Sequence, residues 1–322
     1  MNNIHTAQKS GIHSPLSKRN SRGARLRKVL RQNLPLLLMF IPGVIYFIVF
    51  RYVPMFGLMI AFKDYSFRSG IIGSEWVGLK HFESLFRSPQ SSDIILNSLW
   101  LSLLRLVVGF PFPIILAILL NEVKKTWFKR SMQTVVFLPH FLSWVIVGGI
   151  VLTLFAQESG TVNILLENWL GRTYSFLYQI PSWITIYLGS GIWKEAGFGA
   201  IIYLAALSSI DPGLYESAAI DGANKWRQIV NITLPGISTV IVIMLILSMG
   251  GIMEVSFDQV YILGNPVVSS VSEVISTWVY RIGLQGAQFS LTTAMGLFES
   301  AVHLVLIVAA NQIARRFGKE LW

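Results

Sequence analysis

A small set of polar side chains interrupts long apolar runs: Arg105, the Trp193-Lys194-Glu195 triplet, Glu254, Glu299 and His303. Ionisable groups at such positions are costly in an apolar surround and face a cavity or one another. The chemistry open to them is non-covalent. Carboxylates and cations pair with hydroxyls, and flat aromatic rings cover the C–H faces of a cyclic solute. The set is therefore a candidate solute path. The alternative is internal pairing, for instance of Lys194 with a carboxylate, which would tie elements together. Covalent chemistry has no support. The chain has no cysteine and no His-Glu-x-x-His, and Ser208-Ser209 lack a nearby histidine. No catalytic residue and no metal site are expected. The Gly-x-x-x-x-Gly-Lys-Ser/Thr pattern that cradles nucleotide phosphates is also missing.

The elements that must position these groups are membrane spans. Of the 322 residues 53% are apolar and 13% charged, about half the charged fraction of a soluble domain, and the mean hydropathy is +0.59. Runs long enough to cross a ~30 Å hydrocarbon core fall near residues 34–50, 97–120, 134–155, 183–207, 237–257 and 292–313. The segment 53–62 is apolar but too short to cross. The chain thus reads as an all-α membrane protein of six transmembrane helices. Lysine and arginine are unevenly shared between the alternate sides, 17 against seven. By the positive-inside bias both termini and the 121–133 and 208–236 loops are cytoplasmic. Residues 1–33 form a basic cytoplasmic leader, partly disordered, with 22–31 suited to a short helix on anionic lipid. Its cations mark the inner face of a membrane and not nucleic-acid binding. Trp100, Trp144 and Trp183 read as interfacial anchors, and His140 as structural. The glycine pairs Gly148-Gly149, Gly250-Gly251 and Gly197-x-Gly199 suit close helix packing.

Between the fourth and fifth runs lies a polar, helix-forming stretch, Glu216 to Pro235. Asp211 is a good N-cap, Pro212 fits the first helical position and Gly222 fits the position past the end. A short helix over 212–221 follows. Ser217, Ala218 and Ala219 keep its surface small enough for another backbone to approach. A second helix is expected from Asn224, with Trp226, Ile229, Val230 and Ile232 on its apolar side and Pro235 opening the fifth span.

Glu216, Ser217, Ala218, Gly222, Ile232, Leu234 and Pro235 fall at the spacings of the coupling loop of ABC-importer permeases, which this stretch resembles. That family writes the loop as Glu-Ala-Ala, three residues, Gly, nine residues, Ile, one residue, Leu-Pro; Ser217 is the single departure. Phe40-Ile41-Pro42-Gly43, Tyr52-x-Pro54-x-x-Gly57-Leu58-x-x-Ala61-Phe62, Gly78-Leu79-x-x-Phe82, Asn97-Ser98-Leu99 and Leu321-Trp322 look like the polysaccharide and oligosaccharide branch of the type I, maltose-type family, whose members include importers of uronate polymers such as alginate. The resemblance runs from about residue 34 to the end. It implies the type I importer fold and a permease domain over 34–322 in the bacterial inner membrane. It also implies ATPase coupling through Glu216, Ser217, Ala218, Ala219, Asp221 and Gly222, with Glu216 the anchor, and a sugar path through Arg105, Trp193, Lys194, Glu195, Glu254 and Glu299. The implied partners are a second, related permease in a heterodimer, an ATPase homodimer holding ATP and Mg, and an extracytoplasmic solute-binding protein docking on loops 51–96 and 258–291. The chain itself would hold no cofactor and be no enzyme. A permease for phosphate, an amino acid or a peptide would share the loop.

Overall fold

Prolines shape the helices more than they stop them. The computed structural model describes residues 32–316 and 318, with 254 excepted. The basic leader up to 31, Glu254 and Leu321-Trp322 lie outside the described residues. The chain divides into two units, up to Gly57 and from Leu58 onward. In the first unit, α1 (Leu34–Phe47) runs into a π turn, Ile48–Tyr52, followed by Val53–Met55. Tyr46 packs on Phe50, ring centroids 5.1 Å apart.

The second unit is helical apart from a two-residue antiparallel pairing of β1 (Lys63–Asp64) with β2 (Glu75–Trp76), register Lys63 opposite Trp76. Its main helices are α2 (Pro89–Leu104), α3 (Pro111–Glu122), α4 (Thr126–Phe137), α5 (Trp144–Phe155), α6 (Thr161–Leu170), α7 (Ile180–Leu207), α8 (Pro212–Ile220), α9 (Leu234–Gly250), α10 (Phe257–Leu263) and α11 (Phe289–Arg315). By length and hydropathy, Leu34–Phe62, Pro89–Glu122, Lys225–Gly250 and Phe289–Arg315 can each cross a membrane, and two bent pairs raise the number to six.

Helix α7 is apolar around its circumference, as a helix surrounded by others must be. It buries Trp183, Tyr187, Ala200 and Tyr203. It packs on α3 and α9 around a core of Ala117, Ala200, Tyr203, Leu207 and Ile237, while α9 also pairs with α11. The β1–β2 hairpin is pinned to the start of α11: the Ser290 hydroxyl donates to the Lys63 carbonyl at 2.7 Å and accepts from the Tyr65 N–H at 3.0 Å.

Three expectations are corrected. The second and fifth spans begin earlier than hydropathy suggested, at Pro89 and Lys225: a polar first turn, Pro89 to Asp93, precedes the apolar run of the second, the fifth extends back through Pro235, and both contain internal prolines, Pro111 and Pro113 in the second. In each case a π turn precedes the first proline, Arg105–Gly109 before Pro111 and Ile229–Thr233 before Pro235. A proline has no N–H to give and its ring crowds the carbonyl four residues back; the wider π turn relieves both. The third span, expected straight over 134–155, is broken. Thr126–Phe141 and Trp144–Phe155 meet at 100°. A 3-10 turn at Leu138–Phe141 ends the first piece, and Ser143 caps the second by accepting from the Ile146 N–H. Trp183, expected at an interface, is fully buried and donates from Nε1 to the Leu263 carbonyl at 2.8 Å.

Close backbone approach explains Gly197. A Cβ there would land on the Val136 carbonyl oxygen, where α7 crosses the end of α4. Backbone cannot swing aside as a side chain can. Gly197→Ala should therefore cost several kcal/mol, at the upper end for overpacking of about 1–3 kcal/mol or beyond. The measurement is the melting temperature of the purified protein in detergent, beside Gly149→Ala, which meets no atom within 4 Å.

Candidate functional site

The break in the third span organises the charges. Where it ends, the His140 carbonyl has no helical partner, and such orphan groups need a donor. Lys194, from α7, supplies it: Nζ donates to that oxygen at 2.7 Å. A cation at a helix C-terminus also meets the negative end of the dipole. The same ammonium pairs with Glu195 Oε1 at 3.3 Å and stands over the Trp144 ring, 5.6 Å from its centroid. The other Glu195 oxygen, Oε2, lies 2.8 Å from His140 Nδ1. The His140 ring in turn stacks on Phe198, centroids 3.9 Å apart and planes within 5°. Lys194 is buried at 6% exposure, so a solute does not reach it here. Internal pairing, the alternative open at the sequence level, is what the geometry shows for Lys194 and Glu195.

Beside this cluster a cleft of about 760 Å³ opens among α3, α7, α9 and the π turn that carries Arg105. Arg105 and Glu195 both line it, 90 residues apart in sequence, together with Tyr187, Ser102, Ser248 and Gln259. A π turn rotates its side chains relative to a regular helix and recurs at functional sites; here it positions Arg105 on the cleft wall. Gln259, fully buried, fixes the wall from the next segment by donating Nε2 to the Tyr187 carbonyl at 2.7 Å and to Ser190 Oγ at 3.1 Å. The Tyr187 hydroxyl, buried, has no hydrogen-bond partner among the described residues.

Trp193 and Glu299 do not line the cleft. Trp193 is 48% exposed on α7, and Glu299 is half-buried on α11. His303 accepts from the Met253 N–H at 3.2 Å, holding the segment after α9 against α11. Sequence reasoning missed Gln259 and the pairing of His140 with Glu195. The only signal for the latter was Pro139-His140 inside an apolar run.

The 208–236 loop has the anticipated local form. Asp211 accepts from the Gly213 N–H at 2.9 Å and starts α8. Gly222, at φ +77°, ends it: its N–H reaches the Ala219 carbonyl at 3.1 Å and the Ala223 N–H the Ala218 carbonyl at 2.9 Å. These two bonds form a Schellman cap. Glu216, Ser217, Ala219 and Asp221 are exposed, as are the apolar Leu214 and Ile220. Two contacts tie the loop to the bundle. Tyr215 Oη lies 3.0 Å from Thr233 Oγ1, and Lys225 Nζ pairs with Glu122 Oε2 at 2.8 Å. The second helix starts at Lys225 as expected, but its inward side carries Gln228 and Thr233, while Trp226 is 72% exposed. Thr233 turns inward because it shares a bond with Tyr215, a pairing that apolar periodicity cannot register.

A mostly helical, multi-pass membrane protein with a cleft whose wall mixes apolar and polar groups and an exposed capped helix between two cleft-lining helices fits a transport subunit. The chain belongs to the binding-protein-dependent transport system inner membrane component family, whose model matches residues 109–321; it is a transport subunit rather than an enzyme. Over 314 residues it is 45% identical to the polygalacturonan/rhamnogalacturonan transport system permease protein YteP of Bacillus subtilis (strain 168), covering 98% of each chain. It is 41% identical to protein LplB of the same organism, over 93% of this chain and 94% of that one. The fold matches a chain of a bacterial ABC transporter involved in the import of the acidic polysaccharide alginate, with a TM-score of 0.84 and 43% identity over 91% of this chain and 99% of that one. A second match, also at 0.84 and with 44% identity over 92% and 99%, is to the bacterial alginate transporter in complex with alginate pentasaccharide-bound periplasmic protein. The fold is that of type I ABC importer permeases.

Proposed function

We propose that this chain is one of two permease subunits of an ATP-driven importer of polymer-derived oligosaccharides in the bacterial cytoplasmic membrane. In this reading residues 1–33 are a cytoplasmic leader, 34–322 the permease domain, and both termini are cytoplasmic. The second permease is a related chain, and a binding protein delivers substrate from the outer side. ATP and Mg are held by an ATPase homodimer. The substrates named for YteP and for the alginate transporter support the oligosaccharide assignment. Arg105 and Glu195 act on the cleft wall, with Lys194 acting through Glu195; Trp193, Glu254 and Glu299 belong to other stretches of the path.

One observation carries the coupling reading. Helix α8 joins α7 to the segment leading into α9, and both of those helices line the cleft. It is capped at both ends, yet Leu214, Glu216 and Ile220 stay exposed. A helix so held needs an external surface for its exposed apolar groups, and an ATPase groove receives it. Closure of the ATPase dimer then displaces α8, and with it the two helices on either side of the cleft.

The test is reconstitution with the co-purifying subunits, measuring ATP hydrolysis against a panel of ligand-loaded binding proteins. Stimulation by an oligosaccharide-loaded binding protein is expected, several-fold over the unloaded one. Stimulation only by phosphate, an amino acid or a peptide, or no associated ATPase at all, refutes the proposal.

A further inference from the structure

Of the described residues that line the cleft, two carry formal charge, Arg105 and Glu195. They are not equivalent. Both oxygens of Glu195 are engaged from within the chain, Oε1 by Lys194 at 3.3 Å and Oε2 by His140 at 2.8 Å. Its negative charge is therefore matched by a buried ammonium, and its lone pairs are largely spoken for. Arg105 makes no ion pair with any described residue and is exposed. The cleft wall thus has a net positive charge, concentrated on one guanidinium. The Lys194-Glu195 pair thus offsets the one carboxylate that lines the cleft.

We infer that Arg105 reads the carboxylate of a uronate residue as it passes through the cleft, and so sets the preference of this permease for acidic over neutral oligosaccharides. This rests on the oligosaccharide reading above. A guanidinium offers a planar fork of N–H donors that fits a carboxylate through two parallel bonds. Nearby groups suit the rest of a sugar ring. Phe198, 43% exposed, lines the same cleft and offers apolar ring surface beside the polar Ser248. Transport also requires release. One arginine, without a second free cation among the described lining residues, holds a carboxylate without trapping it.

The experiment uses the complete transporter in proteoliposomes. Uptake and stimulated ATP hydrolysis are compared for a uronate oligosaccharide and for its carboxyl-reduced neutral counterpart of the same length. Binding-protein affinity for each is measured separately, and loading is set to saturation. The wild type should favour the acidic form. Arg105→Gln should lower its transport by about tenfold to a hundredfold, the range for a lost charge-assisted hydrogen bond, and lower that of the neutral form far less. Arg105→Lys, which keeps the charge and loses the fork, should fall between. Equal losses for both sugars would assign Arg105 to assembly, for example to a carboxylate of the second permease, and overturn the inference. So would no loss for either. A wild-type complex that moves neither sugar sinks the oligosaccharide reading itself, whereas normal acidic transport in Arg105→Gln sinks the carboxylate reading alone.

Discussion

Glu216→Ala will leave this chain folded and assembled but remove most of the substrate-stimulated ATP hydrolysis of the complex. Helix α8 does not depend on Glu216. Its start is held by Asp211 and its end by the cap at Gly222, and alanine is the better helix former. Glu216 is exposed, and no ion pair joins it to a described residue, so its removal breaks nothing inside the bundle. What it can lose is a contact with a partner. A hydrogen bond to an ionised group contributes about 1.5–3 kcal/mol, and every 1.4 kcal/mol is tenfold in an equilibrium. A fall of about tenfold or more in stimulated hydrolysis is expected, with co-purification of the ATPase reduced but detectable. Asp211→Ala is the informative companion. It takes away the cap, worth about 1 kcal/mol, without touching the exposed face, and should give a milder, temperature-dependent loss. Normal stimulated hydrolysis in Glu216→Ala would remove this residue from the coupling surface.

Local signals in the sequence were enough for the parts of the molecule that depend on neighbours in the chain. The start and end of α8 follow from Asp211, Pro212 and Gly222, because a cap is made by residues within a few positions of it. The existence of the spans follows from length and apolarity, because a membrane demands both. The spans' internal shape does not follow. Pro235 reads as the start of a span in a window of sequence, yet helix passes through it, as it does through Pro111 and Pro113, since a π turn one or two residues upstream re-pairs the backbone. Pro139 lies in an equally apolar run and does end a helix. The difference is supplied from elsewhere: Lys194, 55 positions on, holds the freed His140 carbonyl. The same distance hides the functional division of the charges. Arg105, Lys194 and Glu195 are alike in sequence as polar residues in apolar runs. Only the fold separates a buried ammonium that caps a broken helix, a carboxylate held at both oxygens and a guanidinium on a cleft wall. Glycine pairs show the same limit. Gly197 and Gly148 face atoms that exclude a Cβ, whereas Gly149, beside Gly148, faces none within 4 Å.

Lys194→Met should be strongly destabilising. The methionine keeps most of the apolar stem, so the change isolates the charge. Three interactions go at once: the bond to the His140 carbonyl at 2.7 Å, the pair with Glu195 at 3.3 Å and the contact over the Trp144 ring. Two groups are left worse off. The His140 carbonyl becomes an orphan at a helix break away from water, and Glu195 keeps His140 as its only partner among the described residues. Breaking a buried pair from one side costs about 3–5 kcal/mol, because the surviving charge keeps its desolvation penalty; Glu195 is partly exposed, at 38% of its side chain, which places the expectation near the lower bound. The double variant Lys194→Met/Glu195→Gln removes both charges and should recover part of that loss, leaving chiefly the orphaned carbonyl. Thermal unfolding of the purified complex in detergent measures all three proteins. If Lys194→Met melts with the wild type, the broken third span is held by packing around Gly197 and not by the ammonium. If the double variant is no better than the single, the carbonyl cap outweighs the ion pair, and Lys194 is retained first as a backbone donor and only second as a counter-charge.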